Sequence, residues 1–267
     1  MSPVVLITGA SSGIGKAVAE YLATKDYKVY GTSRNPQQEI HNGVHFLQLD
    51  VTDASSIETA VSQLLARENR LDFLINNAGK GISGPMEEIP ESELKSVFDT
   101  NYFGPIAMIK AVLPVMRSQS SGMIINVTSI AGYMGLPFRG AYSATKGALG
   151  LTTEAMRMEL KEFNIKMVNA APGDFATNIA AGRFHASLKD TSPYRKTYGL
   201  SLELMNEHVD EGENPMLMAQ AIHAIMQEKN PRVHYKIGVF MQKISVFLKG
   251  ILPDRVYERM LLNHYKL

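Results

Sequence analysis

The glycine-rich turn near the N-terminus constrains the fold more than any other feature of this sequence. A short apolar run, Val4–Thr8, is typical of a buried strand and leads directly into Thr8-Gly9-Ala10-Ser11-Ser12-Gly13-Ile14-Gly15. Such a turn lets the backbone approach a pyrophosphate, and the N-terminus of the next helix supplies N–H donors and a partial positive charge. The spacing Gly-x-x-x-Gly-x-Gly differs from the G-x-G-x-x-G fingerprint. The turn therefore either holds a phosphate or serves packing alone.

Strand-like and helix-like segments alternate through the first two thirds of the chain. The predicted strands are Val4–Thr8, Lys28–Ser33, Val44–Asp50, Leu71–Asn76, Met123–Thr128 and Lys166–Ala170, with Arg232–Ile237 as a candidate last strand. Helical patterns cover Ile14–Lys25, Ser55–Arg67, Glu91–Thr100, Pro105–Ser118, Tyr142–Phe163 and Met216–Gln227. Alternation of helices with nearly continuous apolar strands favours an α/β fold, a Rossmann-like doubly wound parallel sheet with helices on both faces. No linker divides residues 1–267, so we expect a single domain.

The pattern changes after Thr177. Residues 178–213 lack clear periodicity and are predicted to form a substrate lid, whereas residues 240–267 are predicted to form an amphipathic helical tail. The tail either packs against the body of the protein or rests weakly on a membrane surface. Side chains that either form an apolar lid over the nicotinamide site or simply pack are Phe175, Phe184, Tyr194, Tyr198, Leu202 and Met205.

Composition excludes several classes of function. The chain has no cysteine, so disulfides, thiolate catalysis and cysteine-ligated metals are excluded, and we predict no metal site. Its 27 basic and 26 acidic residues give a net charge of +1, which offers no reason to expect a nucleic-acid partner. The N-terminus has neither a basic leader nor a cleavage site, and no apolar stretch reaches the roughly 18–20 residues that span a bilayer. We therefore expect a cytoplasmic protein.

Arg34 indicates which dinucleotide the turn would accept. An NAD-specific site usually places Asp or Glu about 20 residues beyond the glycine turn, where it holds the ribose 2′-hydroxyl. Here Ser33 stands at that position and a guanidinium follows it, which suits a 2′-phosphate. The sequence therefore favours NADP(H), with Arg34 on the phosphate; the alternative is that Arg34 is a solvated surface residue.

Tyr142 and Lys146 lie four residues apart on a predicted helix, so their side chains share one face. A tyrosine pKa near 10 is too high for an efficient base at neutral pH, and we expect a neighbouring ammonium to lower it. Ser129 follows a predicted strand, where its hydroxyl can stabilise charge on a substrate oxygen. Asn101 either carries a proton relay or distorts a helix for structural reasons, and both readings stay open.

Together these residues resemble the short-chain dehydrogenase/reductase family, in its compact single-domain branch. The matching elements occur in family order: Thr8–Gly15, Asp50, Asn76–Gly79, Asn101, Ser129, Tyr142, Lys146 and Pro172–Thr177. The resemblance implies a dinucleotide-binding oxidoreductase domain with Asn101, Ser129, Tyr142 and Lys146 as catalytic residues. It also implies that NADP(H) is bound by Gly9, Ser11, Ser12, Gly13, Ile14, Gly15, Arg34, Asp50, Val51, Asn77, Ala78, Gly79, Tyr142, Lys146, Pro172, Gly173 and Thr177.

The C-terminal third is similar to that of the 17β-hydroxysteroid and retinol dehydrogenase-like subgroup. Segments Pro231–Gly238 and Leu252–Arg255 carry this similarity. It implies an enzyme that interconverts a carbonyl and an alcohol on a lipophilic small molecule of steroid, retinoid, keto-lipid or sphingoid type. The alternatives are a reductase of carrier-bound or sugar substrates and a non-catalytic NADP(H)-sensing protein. The family resemblance further implies a homodimer or homotetramer, assembled through the helices Pro105–Ser118 and Tyr142–Phe163.

Overall fold

The structure, a computed structural model, describes residues 2–176, 182–210 and 212–267. Its strands are β1 (Val4–Ile7), β2 (Lys28–Ser33), β3 (Ile40–His41), β4 (Val44–Gln48), β5 (Phe73–Asn76), β6 (Ile82–Ser83), β7 (Gly122–Val127), β8 (Ile165–Pro172), β9 (Phe184–His185) and β10 (His234–Ile237). Its helices are α1 (Gly13–Ala23), α2 (Ala54–Glu68), α3 (Glu91–Phe98), α4 (Gly104–Gln119), α5 (Gly140–Glu159), α6 (Arg195–Asp210), α7 (Pro215–Gln227), α8 (Phe240–Ile251) and α9 (Asp254–His264).

The central sheet has the order β10-β8-β7-β5-β1-β2-β4-β3 within the described residues. Its strands pair in parallel except for β3, a two-residue edge strand that runs antiparallel to β4. The strand order reverses at β1, because β2 lies on one side of it and β5 on the other. The predicted doubly wound parallel sheet is thus confirmed, and its switch point lies at β1, the strand that leads directly into the glycine-rich turn.

Helices cover both faces of this sheet. On one face α1 and α7 pack over β1, β7 and β8, with side chains such as Leu22 and Ile222 fully buried. On the other face α2 and α4 enclose a second core that contains Leu64 and Met108. Burial on both faces explains the continuous apolar strands, and each fully buried aliphatic side chain contributes about 1.5–3 kcal/mol relative to exposure.

Several elements differ from the sequence prediction. The segment that was predicted as a lid without regular structure contains β9, which pairs with β6, and the helix α6. The predicted helix Glu91–Thr100 ends at Phe98 and passes into a π-helical turn, Asp99–Phe103. The tail is two helices, because Pro253 lacks an N–H donor and disfavours helical backbone at Leu252. Among the described residues, no helix has the length and hydropathy that a bilayer span requires.

Candidate active site

A cleft of about 1220 Å³ opens at the carboxyl ends of the parallel strands. This edge of the sheet is where doubly wound folds bind ligands. The sequence-predicted residues that line it are Gly9, Ser11, Ser12, Gly13, Ile14, Arg34, Asp50, Val51, Asn77, Ala78, Gly79, Ser129, Tyr142, Lys146, Pro172 and Gly173. Gly15 and Asn101 are buried beside the cleft, and Thr177 lies outside the described residues. The fold thus gathers into one cleft residues that are spread over more than 160 positions of the chain.

The glycine-rich turn is fixed by close backbone packing. Gly9 has a φ of +67°, and a Cβ there would lie 2.9 Å from the Cα of Ala78. A Cβ on Gly15 would collide with the carbonyl oxygen of Gly9 and the side-chain amide of Asn77. That amide donates to the carbonyl oxygens of Thr8 and Gly9, at 3.0 Å each. Gly15 is therefore required for packing of the turn, whereas Gly9 and Gly13 face the cleft.

The N-terminus of α1 fits an anionic group. Ser12, the residue before the helix, makes no side-chain capping hydrogen bond within the described structure, and the first turn of α1 contains no acidic residue. The first N–H groups of a helix lack partners inside the helix, so here they stay available to a phosphate in the cleft. The exposed Arg34 lines the same cleft beyond the end of β2. These residues fit a phosphorylated dinucleotide.

Ser129 and Tyr142 meet at the opposite end of the cleft. Ser129 directly follows Thr128 beyond β7, and its Oγ accepts a hydrogen bond of 3.1 Å from the N–H of Ala131. This contact leaves the hydroxyl proton of Ser129 free to be donated elsewhere. Tyr142 lies in the first turn of α5, is 9% exposed and hydrogen-bonds with Ser129. Two hydroxyl groups therefore point to one position in the cleft.

The structure corrects the expectation that Lys146 lowers the pKa of Tyr142. Burial raises the pKa of the Tyr142 phenol above its usual value of 10, and the charge of Arg139, followed by the Ser129 hydrogen bond and the charge of Arg183, opposes this rise. The Arg139 guanidinium carbon lies 5.3 Å from the centre of the Tyr142 ring, whereas Lys146 Nζ lies 5.9 Å from it. In the protein without cofactor, Tyr142 is therefore protonated at neutral pH and is a proton donor.

Lys146 is held away from the phenol by the backbone. Its Nζ donates a hydrogen bond of 2.9 Å to the carbonyl oxygen of Val127, at the end of β7. The side chain is 5% exposed, and burial lowers its pKa from 10.5 to about 8. Burial of the Tyr142 phenol outweighs the charges around it, which is the physical reason for the correction. The lowered pKa makes Lys146 able to exchange a proton near neutral pH.

Asn101 lies at the middle of the π-helical turn between α3 and α4. Its Oδ1 accepts from the N–H of Lys80 at 2.8 Å, and its Nδ2 donates to the carbonyl oxygen of Lys80 at 2.9 Å. Nδ2 also contacts Thr145 Oγ1 at 3.2 Å. π-turns often mark functional sites. The helix-distorting interpretation of Asn101 agrees with this position, and the proton-relay interpretation stays a prediction.

Several side chains of the cleft were not predicted as site residues from the sequence, and four polar ones are among them. Arg139, Asp174 and Arg183 line it near Tyr142, and Gln242 reaches it from α8. The Gln242 Oε1 accepts from the N–H of Asp174 at 3.1 Å, and its Nε2 donates to Asp174 Oδ2 at 2.7 Å. Asp174 stands inside the matched Pro172–Thr177 segment and was assigned no role. Gln242 comes 68 positions later, and no local pattern could have linked the two.

Comparison with known proteins gives consistent matches over most of the chain. A family model described as short chain dehydrogenase matches residues 3–187. A 3-ketodihydrosphingosine reductase from Bacteroides thetaiotaomicron is 40% identical, over 98% of this chain and 97% of its own length. The crystal structure of a short-chain dehydrogenase from Streptomyces avermitilis has a TM-score of 0.82 at 32% identity, covering 99% of this chain and 97% of that one. ElxO with NADP bound has a TM-score of 0.73 at 28% identity, covering 89% and 97%.

Proposed function

The chain belongs to the short-chain dehydrogenase family of oxidoreductases, and from this premise we propose that it interconverts a carbonyl and an alcohol on a lipophilic molecule with NADP(H). The observation that carries the proposal is the convergence of Ser129, Tyr142 and Lys146 on one cleft that also contains the glycine-rich turn. Such a combination supplies proton handling at one end and dinucleotide binding at the other.

The protonation states of Tyr142 and Lys146 indicate how the site would handle the proton of the reaction. NADPH held by the glycine-rich turn and Arg34 would supply the hydride that the carbonyl carbon accepts, with NADP⁺ as its oxidised product. Tyr142, protonated at neutral pH, donates its proton to the carbonyl oxygen as the C=O π bond breaks, so the product is an alcohol. Ser129 donates a hydrogen bond to the same oxygen. Lys146, with its lowered pKa, and Asn101 return a proton to Tyr142.

Tyr142→Phe tests this assignment, because it removes the transferred proton and keeps the ring. We expect a loss of turnover of about 10³-fold or more, with NADPH affinity nearly unchanged. NADPH oxidation over a panel of steroid, retinoid, sphingoid and aliphatic ketones gives the rate, and fluorescence of bound NADPH gives the affinity. Tyr21→Phe, on α1, is the matched control. Full turnover by Tyr142→Phe would refute its role, and NADPH binding without oxidation on any carbonyl would favour a sensor instead.

NADP(H) is the preferred dinucleotide in this proposal. Support comes from Arg34, which stands exposed at the end of the cleft beside Asp50 and Val51, and from the family member ElxO with NADP bound. Arg34→Asp should raise KM for NADPH about tenfold or more and move the preference towards NADH. The matched control is Arg67→Asp, at a surface arginine paired with Glu39. An unchanged ratio of NADPH to NADH efficiency would contradict this choice.

The substrate in this proposal is a long-chain ketone or alcohol. The cleft wall near Tyr142 contains Met134 and Leu136, and α8 and α9 contribute Leu248, Met260 and Leu261. An apolar wall of this kind suits an aliphatic chain. The relative described as a 3-ketodihydrosphingosine reductase makes a sphingoid-type ketone the first compound to assay. Residues 178–213 act as the substrate lid in this proposal. Phe175 and Met205 are buried and line the cleft, a position that agrees with a role in the lid and equally with a role in packing alone.

Two partners belong to the same proposal. Exposed apolar side chains on α5 support a homodimer or homotetramer formed through α4 and α5, in a cytoplasmic protein.

The inner face of α8 packs against the body of the protein, while Phe240, Phe247 and Ile251 on its outer face are exposed. Weak membrane contact through this outer face would bring a lipid ketone to the cleft. Sedimentation with anionic phospholipid vesicles tests it: Phe247→Asp should reduce the bound fraction, and no vesicle binding by the unmodified protein would exclude the contact.

A further inference from the structure

Two arginines face the substrate end of the cleft beside the proton donor. Arg183 directly precedes β9, where the N–H of Phe184 donates to the carbonyl oxygen of Gly81 at 3.0 Å and anchors the segment. A Cβ on Gly81 would lie 3.0 Å from Arg183 Cγ, so the glycine makes room for this side chain. Arg139 stands at the start of α5, over the ring of Tyr142. Both arginines line the same cleft as Tyr142.

The Arg183 guanidinium lacks a matching acceptor. Its Nη1 is fully buried and makes no hydrogen bond with a described residue. Neither Arg183 nor Arg139 forms an ion pair with a carboxylate in the described part of the chain. Burial lowers the pKa of Arg183, and the positive charge of Arg139 lowers it further by a smaller amount. A buried donor without an acceptor costs free energy, and an anion that enters the cleft would recover it.

The remaining charges near this site leave a positive excess. Asp174 is the one acidic side chain among the groups that act on the charge of Arg183. Its Oδ2 already accepts a hydrogen bond from Gln242. Arg139 is partly engaged as well, because it hydrogen-bonds with the Tyr265 hydroxyl. Two guanidinium groups against one carboxylate favour a ligand that carries negative charge close to the carbonyl.

We propose that Arg183, with Arg139 beside it, binds an anionic headgroup of the substrate whose carbonyl is protonated by Tyr142. The inference rests on the proposed function and narrows its substrate class to a lipid ketone with a phosphate or sulfonate near the carbonyl. The apolar chain of such a lipid lies along the wall formed by α8 and α9, and its headgroup lies against Arg183 and Arg139. Tetrahedral oxyanions of both kinds suit a guanidinium, which donates through several N–H groups.

One set of long-chain 2-amino-3-ketones tests the inference, with a hydroxyl, a phosphate or a sulfonate at C1 and NADPH oxidation as the readout. We expect the unmodified protein to have a kcat/KM about tenfold or more higher for a charged ketone than for the hydroxyl compound. The phosphate and sulfonate compounds then show which anion is preferred. Equal efficiency on all three ketones would overturn the inference and leave the proposed function intact.

Arg183→Gln removes the charge and keeps an unbranched polar side chain, although a shorter one. It should lower kcat/KM for the charged ketone about tenfold, mainly through KM, and leave the hydroxyl ketone and the KM for NADPH within about twofold. Arg183→Lys should restore part of the loss. Arg67→Gln, at an exposed arginine of α2 paired with Glu39, is the control and should behave as the unmodified protein. An equal loss on charged and neutral ketones would show a merely structural role.

A binding measurement separates this inference from the proposed function. Calorimetry with dodecyl phosphate, kept below its micelle concentration and with NADP⁺ present, needs no turnover. We expect Arg183→Gln to weaken binding about tenfold and Arg67→Gln to leave it unchanged. If no ketone is reduced, the proposed function fails while this result still decides the anion site. Dodecyl phosphate binding that is absent, or that Arg183→Gln does not weaken, overturns it.

Discussion

At the scale of single residues, burial determines the direction of the pKa shifts of Tyr142 and Lys146. Their four-residue spacing on α5 was predicted from the sequence, and the structure places both on the cleft. The sign of the pKa shift of Tyr142 was wrong, because burial dominates it and Lys146 Nζ is directed to the carbonyl oxygen of Val127. A raised tyrosine pKa and a lowered lysine pKa both favour uncharged forms. Without cofactor, Tyr142 therefore carries its phenol proton at neutral pH, as the proposed proton donation requires.

Lys146→Met should stabilise the protein without cofactor at pH 7. Because burial lowers the pKa of Lys146 from 10.5 to about 8, the unfolded chain binds more protons than the folded chain between these values. This group therefore makes the unmodified protein more stable as pH rises through that window. We expect Lys146→Met to raise the free energy of unfolding by about 1–2 kcal/mol at pH 7, with a smaller gain at pH 10. Urea denaturation at both pH values measures this, and a loss of stability at pH 7 would contradict it.

At the scale of elements, the C-terminal helices complete a cleft that the first two thirds of the chain begin. The sequence indicated an amphipathic tail and left its position open. In the structure α8 packs against Ile130 and Met134, beside Ser129, and its Gln242 holds the loop that follows β8. Gly173 permits this, because a Cβ there would collide with Gln242 Oε1. The helix is thus part of the candidate site.

Gln242→Leu should weaken the site through this loop. The variant keeps the size of the side chain but removes its hydrogen bonds to the N–H and carboxylate of Asp174. We expect KM for NADPH to rise about three- to tenfold, and the stability loss to be about 1 kcal/mol. Steady-state kinetics and thermal unfolding measure the two effects. Gln63→Leu, at an exposed position of α2, is the control and should change neither KM nor stability. An unaltered KM for Gln242→Leu would show that the loop does not affect NADPH binding.

At the scale of the whole molecule, the exposed apolar surface is unevenly distributed. Leu151 and Met158, seven positions apart on α5, are 68% and 73% exposed, and Phe103 at the start of α4 is 55% exposed. Large apolar side chains that lie together on a surface mark interaction sites. Their place on α5 and directly before α4 supports the homo-oligomer that the family resemblance implies.

Leu151→Asp combined with Met158→Asp should dissociate this oligomer. Two charges at the centre of an apolar interface remain unpaired on association and cost several kcal/mol, enough to favour the monomer. Gel filtration with light scattering should give a dimer or tetramer for the unmodified protein and a lower mass for the variant. Ile40→Asp, at the exposed edge strand β3, is the control and should keep the native mass. A monomeric unmodified protein would contradict the expected assembly.

The sequence by itself determined the parallel sheet, the glycine-rich turn, and the residues Ser129, Tyr142 and Lys146. These features rest on local patterns, namely apolar runs, glycine spacing and a four-residue helical interval. The sign of the Tyr142 pKa shift was settled only in the folded protein. So were the contact of Gln242 with Asp174 and the position of Arg139 and Arg183 near Tyr142. Each of these depends on burial or on contacts between segments more than 30 residues apart. Burial and electrostatic interactions depend on distances in space. The order of residues along the chain does not give those distances.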